Sequence, residues 1–143
     1  MTNQAELSID DVCRADENPF EVFGAFLRAY NNGFVPDTGS VPLWLFVRDA
    51  SGRVQGGLDG RTGWGWCYVD RLAIAPDMRG KGLGRRLLGE AEAIARRRGC
   101  LGMRLTTTTF QAAPFYEKHG YREFGRLADH PPGYAMIYLA KRF

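Results

Sequence analysis

The chain has 143 residues, of which 45% are hydrophobic and 24% charged, and its formal net charge is +3. This length predicts one domain over residues 1–143, and this composition is typical of a globular protein that buries a core without disulfides. Three widely spaced cysteines give neither a disulfide framework nor a zinc-ligand spacing. The N-terminus has no signal-peptide pattern and no segment is apolar enough to span a membrane, so we expect a cytoplasmic protein without membrane contact.

Hydrophobic periodicity divides the chain into strands and helices, with glycine and proline marking the turns. The order of these elements predicts a strand–helix–strand unit with parallel strands, set between antiparallel hairpins in a mixed sheet. The expected elements are a weak strand over residues 5–13, a helix over 18–30, strands over 41–49, 54–58 and 66–75, a glycine-rich loop over 59–65, a helix over 83–98, a strand over 100–109, a short helix over 111–119, and strands over 121–127 and 134–141.

A glycine-rich turn, RGKGLG at residues 79–84, joins the expected central strand to the long helix. Glycine lets the backbone adopt positive φ and approach a ligand closely, and the free N–H groups at the start of a helix favour an anion. Basic side chains at positions 79, 81, 85 and 86 add positive charge around the same point. A turn that needs glycine only for packing would require neither the alternating glycines nor these cations. We therefore expect an anion-binding site here.

Two common phosphate-binding motifs do not fit this turn. A Walker A loop needs a hydroxyl residue after its lysine, whereas Lys81 is followed by Gly82. A dinucleotide fingerprint needs a third glycine where Arg85 stands and an acidic residue about 20 positions further on. The end of the next strand, around Thr106 to Thr109, has no acidic residue. Neither nucleoside triphosphate nor dinucleotide binding is therefore predicted.

The pattern that does fit is Arg-x-x-Gly-x-Gly, formed by Arg79, Gly82 and Gly84. The segment VDRLAIAPDMRGKGLG resembles the signature of the GNAT superfamily of N-acetyltransferases, and FQAAPFYEKHGYREFG resembles a later helix of that family. The resemblance covers about residues 41–143. It implies an α/β fold with a mixed, mostly antiparallel central sheet and helices on both faces. It also implies direct transfer of an acetyl group from acetyl-CoA to a primary amine in a ternary complex, without a metal.

The resemblance implies that the cofactor is bound mostly by backbone. In the family, amides of the turn hold the CoA pyrophosphate, and the preceding strand pairs with the pantetheine arm where two strands splay apart. A free N–H there could stabilise the thioester oxyanion. Many members have an asparagine seven residues before the helix tyrosine, where this chain has Thr109, whose reach is shorter. The cofactor residues so implied are Leu72, Ala73, Ile74, Arg79, Gly80, Lys81, Gly82, Leu83, Gly84, Arg85 and Thr109.

Tyr116 is the catalytic acid that the resemblance implies. The departing thiolate needs a proton, and the tyrosine of this helix lies beside the sulfur in the family. Its neighbour Phe115 is expected to pack in the core. Asp70, on the central strand, is the candidate base, directly or through water. Pairing of Asp70 with Arg71, Arg61 or another cation is the alternative, and both interpretations stay open.

Two further residues are candidates for binding the acceptor. Tyr68 lies on the same strand as Asp70 and is expected to position water or substrate. His130 lies in the loop before the last strand, which often borders the acceptor site in this fold. The alternative for His130 is a simple turn built on the two prolines that follow it.

The acceptor itself is not predicted beyond a primary amine of a small molecule or a protein. A non-catalytic domain that senses acyl-CoA is the main alternative. The presence of Tyr116, the candidate catalytic acid, argues against this alternative. A nucleic-acid-binding domain that uses the arginine clusters is a second alternative and is not favoured. A homodimer is also expected from the family, with the last strand as a candidate contact.

Overall fold

A computed structural model describes residues 7–11, 16, 18–36 and 39–143. The chain divides into two compact units, Met1–Asp37 and Thr38–Phe143, and the expectation of one domain over residues 1–143 stays a prediction. No helix in the described part of the chain is long and apolar enough to cross a membrane.

The first unit contains the predicted helix. Helix α1 spans Pro19–Asn31, and the side chain of Asn18 caps it by accepting a hydrogen bond of 3.0 Å from the Phe20 N–H. The strand expected over residues 5–13 is wrong for residues 7–11, which adopt no regular structure, and its remaining residues lie outside the described ranges. Too few apolar residues alternate there to pair with a sheet.

The second unit is built on one six-stranded sheet in the order β1-β2-β3-β4-β6-β5. Strands β3 and β4 are parallel and every other neighbouring pair is antiparallel, which confirms the mixed, mostly antiparallel sheet. Strand β6 lies between β4 and β5, so it has no free edge to pair with a second copy. The expected homodimer, with the last strand as a candidate contact, stays a prediction. The elements are β1 Val41–Arg48, β2 Val54–Gly63, β3 Trp66–Ile74, α2 Leu83–Arg97, β4 Gly102–Thr108, α3 Ala113–Lys118, β5 Arg122–Ala128 and β6 Ala135–Arg142.

The core of this unit lies on one face of the sheet. Helix α2 buries one apolar stripe, and α3 buries Ala113 and Tyr116 in the same cluster. Both helices of the unit therefore cover the same face. The buried residues that they meet on the strands are Leu43, Leu58, Cys67, Val69, Met103, Leu105, Ile137 and Leu139.

A polar side chain on α2 connects this helix to β6 and to the residue that precedes β5. Glu92 accepts a hydrogen bond of 3.0 Å from the Tyr121 hydroxyl and forms an ion pair of 3.0 Å with Lys141 on β6. Burial, followed by the nearby carboxylate, raises the pKa of Tyr121 far above its ordinary value. This hydroxyl is therefore a permanent donor to Glu92.

Strand β2 is longer than the sequence predicts. It runs through the segment expected as a loop, 59–65, as far as Gly63, and the turn is confined to Trp64 and Gly65, whose φ angles are 48° and 76°. Gly60 lies at an irregularity in the β2–β3 pairing, where a Cβ would collide with the Tyr68 carbonyl oxygen. Glycine is thus required here by close strand approach and does not mark a loop.

Candidate active site

A wedge opens in the middle of the sheet, between β3 and β4. Their pairing runs from Trp66–Gly102 to Val69–Leu105 and stops there. Beyond this point β3 stays paired with β2 as far as Ile74, while β4 stays paired with β6. The two strands therefore diverge, and the backbone of the predicted pantetheine-binding residues, Leu72, Ala73 and Ile74, borders the opening.

The β4 side of the wedge carries an unsatisfied polar atom. Among the buried side-chain nitrogen and oxygen atoms that the structure describes, only Thr108 Oγ1 has no hydrogen-bond partner. Its own backbone N–H donates to Gln111 Oε1 at 3.2 Å, so the segment is held in place although the hydroxyl is not. A buried hydroxyl without a partner costs free energy unless water or a ligand supplies one.

The glycine-rich turn leads from β3 into α2 through a 3₁₀ turn at Pro76–Met78. Arg79 Nε donates to the Ile74 carbonyl oxygen at 3.1 Å, which fixes the chain as it leaves the strand. Gly80 and Gly82 have φ angles of 74° and 76°, which residues with a Cβ rarely adopt. Gly82 is the N-cap of α2, and no side chain caps the helix. The first N–H groups of α2 are therefore available to an anion.

A cavity of about 380 Å³ lies against this turn. It contains the basic side chains of Arg79, Arg85 and Lys118 and no acidic residue, so its charge favours an anion. Lys81, also predicted here, does not line it, and its Nζ lies 3.7 Å from Met78 Sδ. The cavity is lined by Ile74, Met78, Arg79, Gly80, Gly82, Leu83, Gly84, Arg85, Phe115, Lys118 and His119.

Four of these lining residues were not predicted for the site: Met78 in the 3₁₀ turn, and three at α3. Phe115, expected in the core, lines the cavity together with Lys118 and His119. They stand three and four positions apart, so they share one face of α3. That spacing is visible in the sequence, but which face of α3 meets the turn is decided by tertiary packing.

Tyr116, the expected acid, is largely buried on α3, with 7% of its surface exposed. Its ring centroid lies 5.1 Å from that of Phe115 and 5.8 Å from that of Tyr121. Within residues 39–143 its hydroxyl makes no hydrogen bond, and it is not among the polar atoms sealed from solvent. Burial raises the pKa of Tyr116 above the ordinary value of tyrosine. Tyr116 therefore keeps its proton at neutral and mildly alkaline pH.

Asp70, the candidate base, forms an ion pair. Nη1 of Arg61 lies 2.9 Å from Oδ1 and 2.7 Å from Oδ2 of Asp70. Arg71, its neighbour in sequence, instead pairs with Asp59 at 2.7 Å. Of the cations considered from sequence, the structure therefore selects Arg61. If Asp70 accepts a proton during the reaction, it does so either with the Arg61 ion pair intact or after that pair has broken. Tyr68 is half-buried beside the pair, with the Arg61 guanidinium over its ring.

Thr109 and His130 lie at the carboxyl end of β4 and in the loop before β6. Thr109 exchanges two hydrogen bonds with Ala135, one through its backbone N–H at 3.0 Å and one through Oγ1, which accepts at 3.2 Å. Its hydroxyl is thus directed to β6, and Thr109 does not line the cavity. His130 is exposed in a loop that packs against the end of β4 through the rings of Phe110 and Tyr134, 4.8 Å apart.

Metal ligands are not grouped in this part of the molecule. Among the described residues there is no cluster of three or more histidine, cysteine, aspartate or glutamate side chains that could hold an ion. The expectation of a metal-free reaction stays a prediction.

Comparison with known proteins places this geometry in a family. Residues 41–123 match the model described as an acetyltransferase (GNAT) domain. An acetyltransferase of Agrobacterium fabrum is 37% identical over 117 residues, which are 82% of this chain and 85% of that protein. The blasticidin-S acetyltransferase of Streptomyces morookaense is 44% identical over 104 residues, 70% of this chain and 76% of that protein.

A solved structure extends the likeness to nearly the whole chain. The crystal structure of an acetyltransferase from Bacillus cereus superposes with a TM-score of 0.83 at 31% identity, over 94% of this chain and 98% of that one. The six-stranded sheet, the helices and the glycine-rich turn thus belong to a shared architecture whose members use acetyl-CoA. The chain belongs to the acetyltransferase (GNAT) family and is an N-acetyltransferase of that family.

Proposed function

We propose that this enzyme transfers an acetyl group directly from acetyl-CoA to a primary amine, with both substrates bound at once. The observation that carries this proposal is that the basic cavity at the glycine-rich turn begins at Ile74, the last residue of the strand that borders the β3–β4 wedge. One ligand can reach the wedge along that cavity, and a second can approach it from the other face of the sheet.

The residues present fit the cofactor that the family uses. Acetyl-CoA supplies the activated acetyl thioester. The pyrophosphate suits the uncapped N–H groups of α2, and Gly80 and Gly82 leave the space beside the backbone open, because a Cβ at either would meet no atom within 4 Å. The free edge of β3 offers backbone hydrogen bonds to an extended arm, and the partnerless hydroxyl of Thr108 belongs to β4, the strand on the other side of the wedge.

Tyr116 is our candidate for the proton donor to the leaving group. Its raised pKa keeps the proton on the hydroxyl, and the same burial would raise the pKa of a thiol placed beside it, since both groups are neutral acids with anionic bases. The pKa values of donor and acceptor therefore move together. The transfer stays feasible although tyrosine is the weaker acid in water.

The amine also has to lose a proton. A primary amine with a pKa of about 10.4 is free to attack in only about one molecule in a thousand at neutral pH. We propose that Asp70 accepts this proton through a water molecule while Arg61 holds its carboxylate. Tyr68 and His130 are our candidates for contacts with the acceptor.

A screen of amines with acetyl-CoA tests the proposal. Thiol release and the mass of the acetylated amine are measured together, and the screen begins with blasticidin S, because the 44% identical relative is named for it. Release that depends on both substrates is the expected result. An enzyme that acetyl-CoA stabilises against heat, but that releases no thiol with any amine, would contradict the proposal and favour a sensor of acyl-CoA.

A further inference from the structure

The sheet face away from the core carries a row of charged and aromatic side chains at the closed end of the wedge. Strand register places Arg61 on β2 directly opposite Tyr68 on β3, and Tyr68 directly opposite Arg104 on β4. The residues flanking Tyr68 along the strand, Cys67 and Val69, are buried in the core. Since side chains alternate along a strand, this row faces the opposite side. We refer to it as the Arg61–Tyr68–Arg104 cluster.

The tyrosine ring holds both arginines in place. Cζ of Arg61 lies 4.6 Å from the centroid of the Tyr68 ring, and Cζ of Arg104 lies 4.3 Å from it. Stacking of a guanidinium on an aromatic face is favourable and restricts an otherwise mobile side chain. Two positive charges are therefore kept close together on the middle strands of the sheet.

The two arginines differ in what neutralises them. Arg61 donates to both carboxylate oxygens of Asp70. Arg104 has neither an ion pair nor a hydrogen bond within residues 39–143, so its five N–H donors are unused. Elsewhere on the sheet, Arg71 and Arg126 each hold a carboxylate in two hydrogen bonds. Arg104 is thus an unpaired guanidinium held in place by the Tyr68 ring, and the cluster taken together with Asp70 has a net charge of +1.

The position of the cluster relates it to the reaction. Arg104 immediately precedes Leu105, where pairing between β3 and β4 ends, and Asp70 is the first residue of β3 beyond that point. An amine bound in the wedge on this face, next to Asp70, would bring its remaining groups against Arg104. A carboxylate or phosphate matches a free guanidinium through two parallel hydrogen bonds.

We propose that the Arg61–Tyr68–Arg104 cluster is a subsite for an oxyanion of the acceptor, so that the preferred acceptor carries a carboxylate or phosphate as well as its amine. This inference rests on the proposed function, because it concerns the second substrate of the same site. Arg104 binds the oxyanion, Tyr68 orients Arg104, and Arg61 keeps Asp70 close to the amine.

Matched acceptors test the inference. The probes are ω-amino carboxylic acids of increasing chain length, each compared with its carboxamide, and phosphoethanolamine compared with ethanolamine. A hydrogen-bonded charge contributes enough free energy to predict a preference of roughly 10- to 100-fold in kcat/KM for the charged member of the best pair. A stronger preference for the amino carboxylic acids would indicate a carboxylate subsite, and a stronger preference for phosphoethanolamine would indicate a phosphate subsite.

Variants test whether Arg104 is the source of the preference for charged acceptors. In Arg104→Gln the ratio of kcat/KM for the charged acceptor to kcat/KM for its neutral counterpart should fall towards one, mainly because the KM for the charged acceptor rises. Arg104→Lys should retain part of this preference. Arg97→Gln removes the same charge from an exposed position in the last turn of α2 and should keep the wild-type ratio. A wild-type ratio near one, or an unchanged ratio in Arg104→Gln, would overturn the inference.

A second readout does not depend on turnover. With CoA present, the charged acceptors should raise the melting temperature of the wild type and of Arg97→Gln, but not that of Arg104→Gln. If no amine is acetylated and this pattern still appears, the proposed function is wrong and the subsite stands. If amines are acetylated and the pattern is absent, the subsite is wrong and the function stands.

Discussion

Gly84, in the first turn of α2, lies against the ring of Phe115 on α3, and a Cβ at Gly84 would stand 3.4 Å from Phe115 Cζ. Gly82 differs, because its φ is 76° and no atom lies within 4 Å of the place where a Cβ would be. Gly84 thus allows two helices to meet, whereas Gly82 keeps the backbone turn open beside the cavity. The glycines of the motif have separate structural roles.

We expect Gly82→Ala to weaken acetyl-CoA binding by more than tenfold. The added Cβ enters the open space at the turn and strains a left-handed backbone by about 1 kcal/mol or more. Gly89→Ala, within α2 and likewise without neighbours within 4 Å, is the matched control. It should leave binding unchanged and stabilise the helix by up to about 1 kcal/mol. Calorimetry measures both affinities, and an equal effect of the two variants would move the cofactor site away from the turn.

We expect Tyr116→Phe to lower turnover by about 10²- to 10⁴-fold, which is typical of losing a positioned general acid. Its thermal stability should change little, since the hydroxyl makes no hydrogen bond within residues 39–143. Tyr121→Phe is the matched control, because it removes a hydroxyl that donates to Glu92. It should cost about 1–3 kcal/mol of stability and retain turnover. Full turnover in Tyr116→Phe would mean that water supplies the proton.

Asp70→Asn separates the two interpretations of Asp70. If Asp70 is the base, activity falls at neutral pH and recovers as the pH approaches the pKa of the amine, where no base is needed. Asp59→Asn removes a carboxylate with a comparable arginine pair and should leave the pH profile unchanged. A loss of activity in Asp70→Asn that is equal at every pH would assign Asp70 to the ion pair alone.

Asp49 should stabilise the fold at neutral pH and not in strong acid. Hydrogen bonds from the side chains of Ser51 and Gln55 and from backbone N–H groups lower the pKa of Asp49 to about 2. A carboxylate with a depressed pKa contributes stability above its unfolded pKa and loses it as the pH falls through the folded value. Asp49→Asn should therefore melt earlier than the wild type at pH 6, and the difference should shrink as the pH falls towards and below 2. A difference independent of pH would contradict this assignment.

The central strand, the glycine-rich turn and α2 could be predicted because their signals are local. Leucines and alanines recur on one face of α2, and glycine is required where φ is positive at Gly80 and Gly82. The family resemblance added the mostly antiparallel pairing of the sheet and the opening beside β3. These features depend on residues close together in the chain.

Features that depend on register could not be predicted. Glycines in β2 suggest a loop, yet Gly60 is needed where β3 approaches closely. Asp70 forms its ion pair with Arg61, and Arg71 forms its ion pair with Asp59, because the β2–β3 pairing is irregular between Asp59 and Gly60. A shift of one residue in the register would separate the partners of these pairs, and no local pattern in the sequence determines the register.

The wedge also bears on how the sheet avoids pairing with other molecules. Unpaired strand edges normally invite pairing with other molecules and lead to aggregation. Here the unpaired edges of β3 and β4 face each other in the interior of the sheet, with three strands on either side. A narrow extended chain can enter this gap, whereas the edge of another sheet cannot. Amide hydrogens that face the gap should exchange with solvent faster than those shared with β2, and should slow once an extended ligand occupies it.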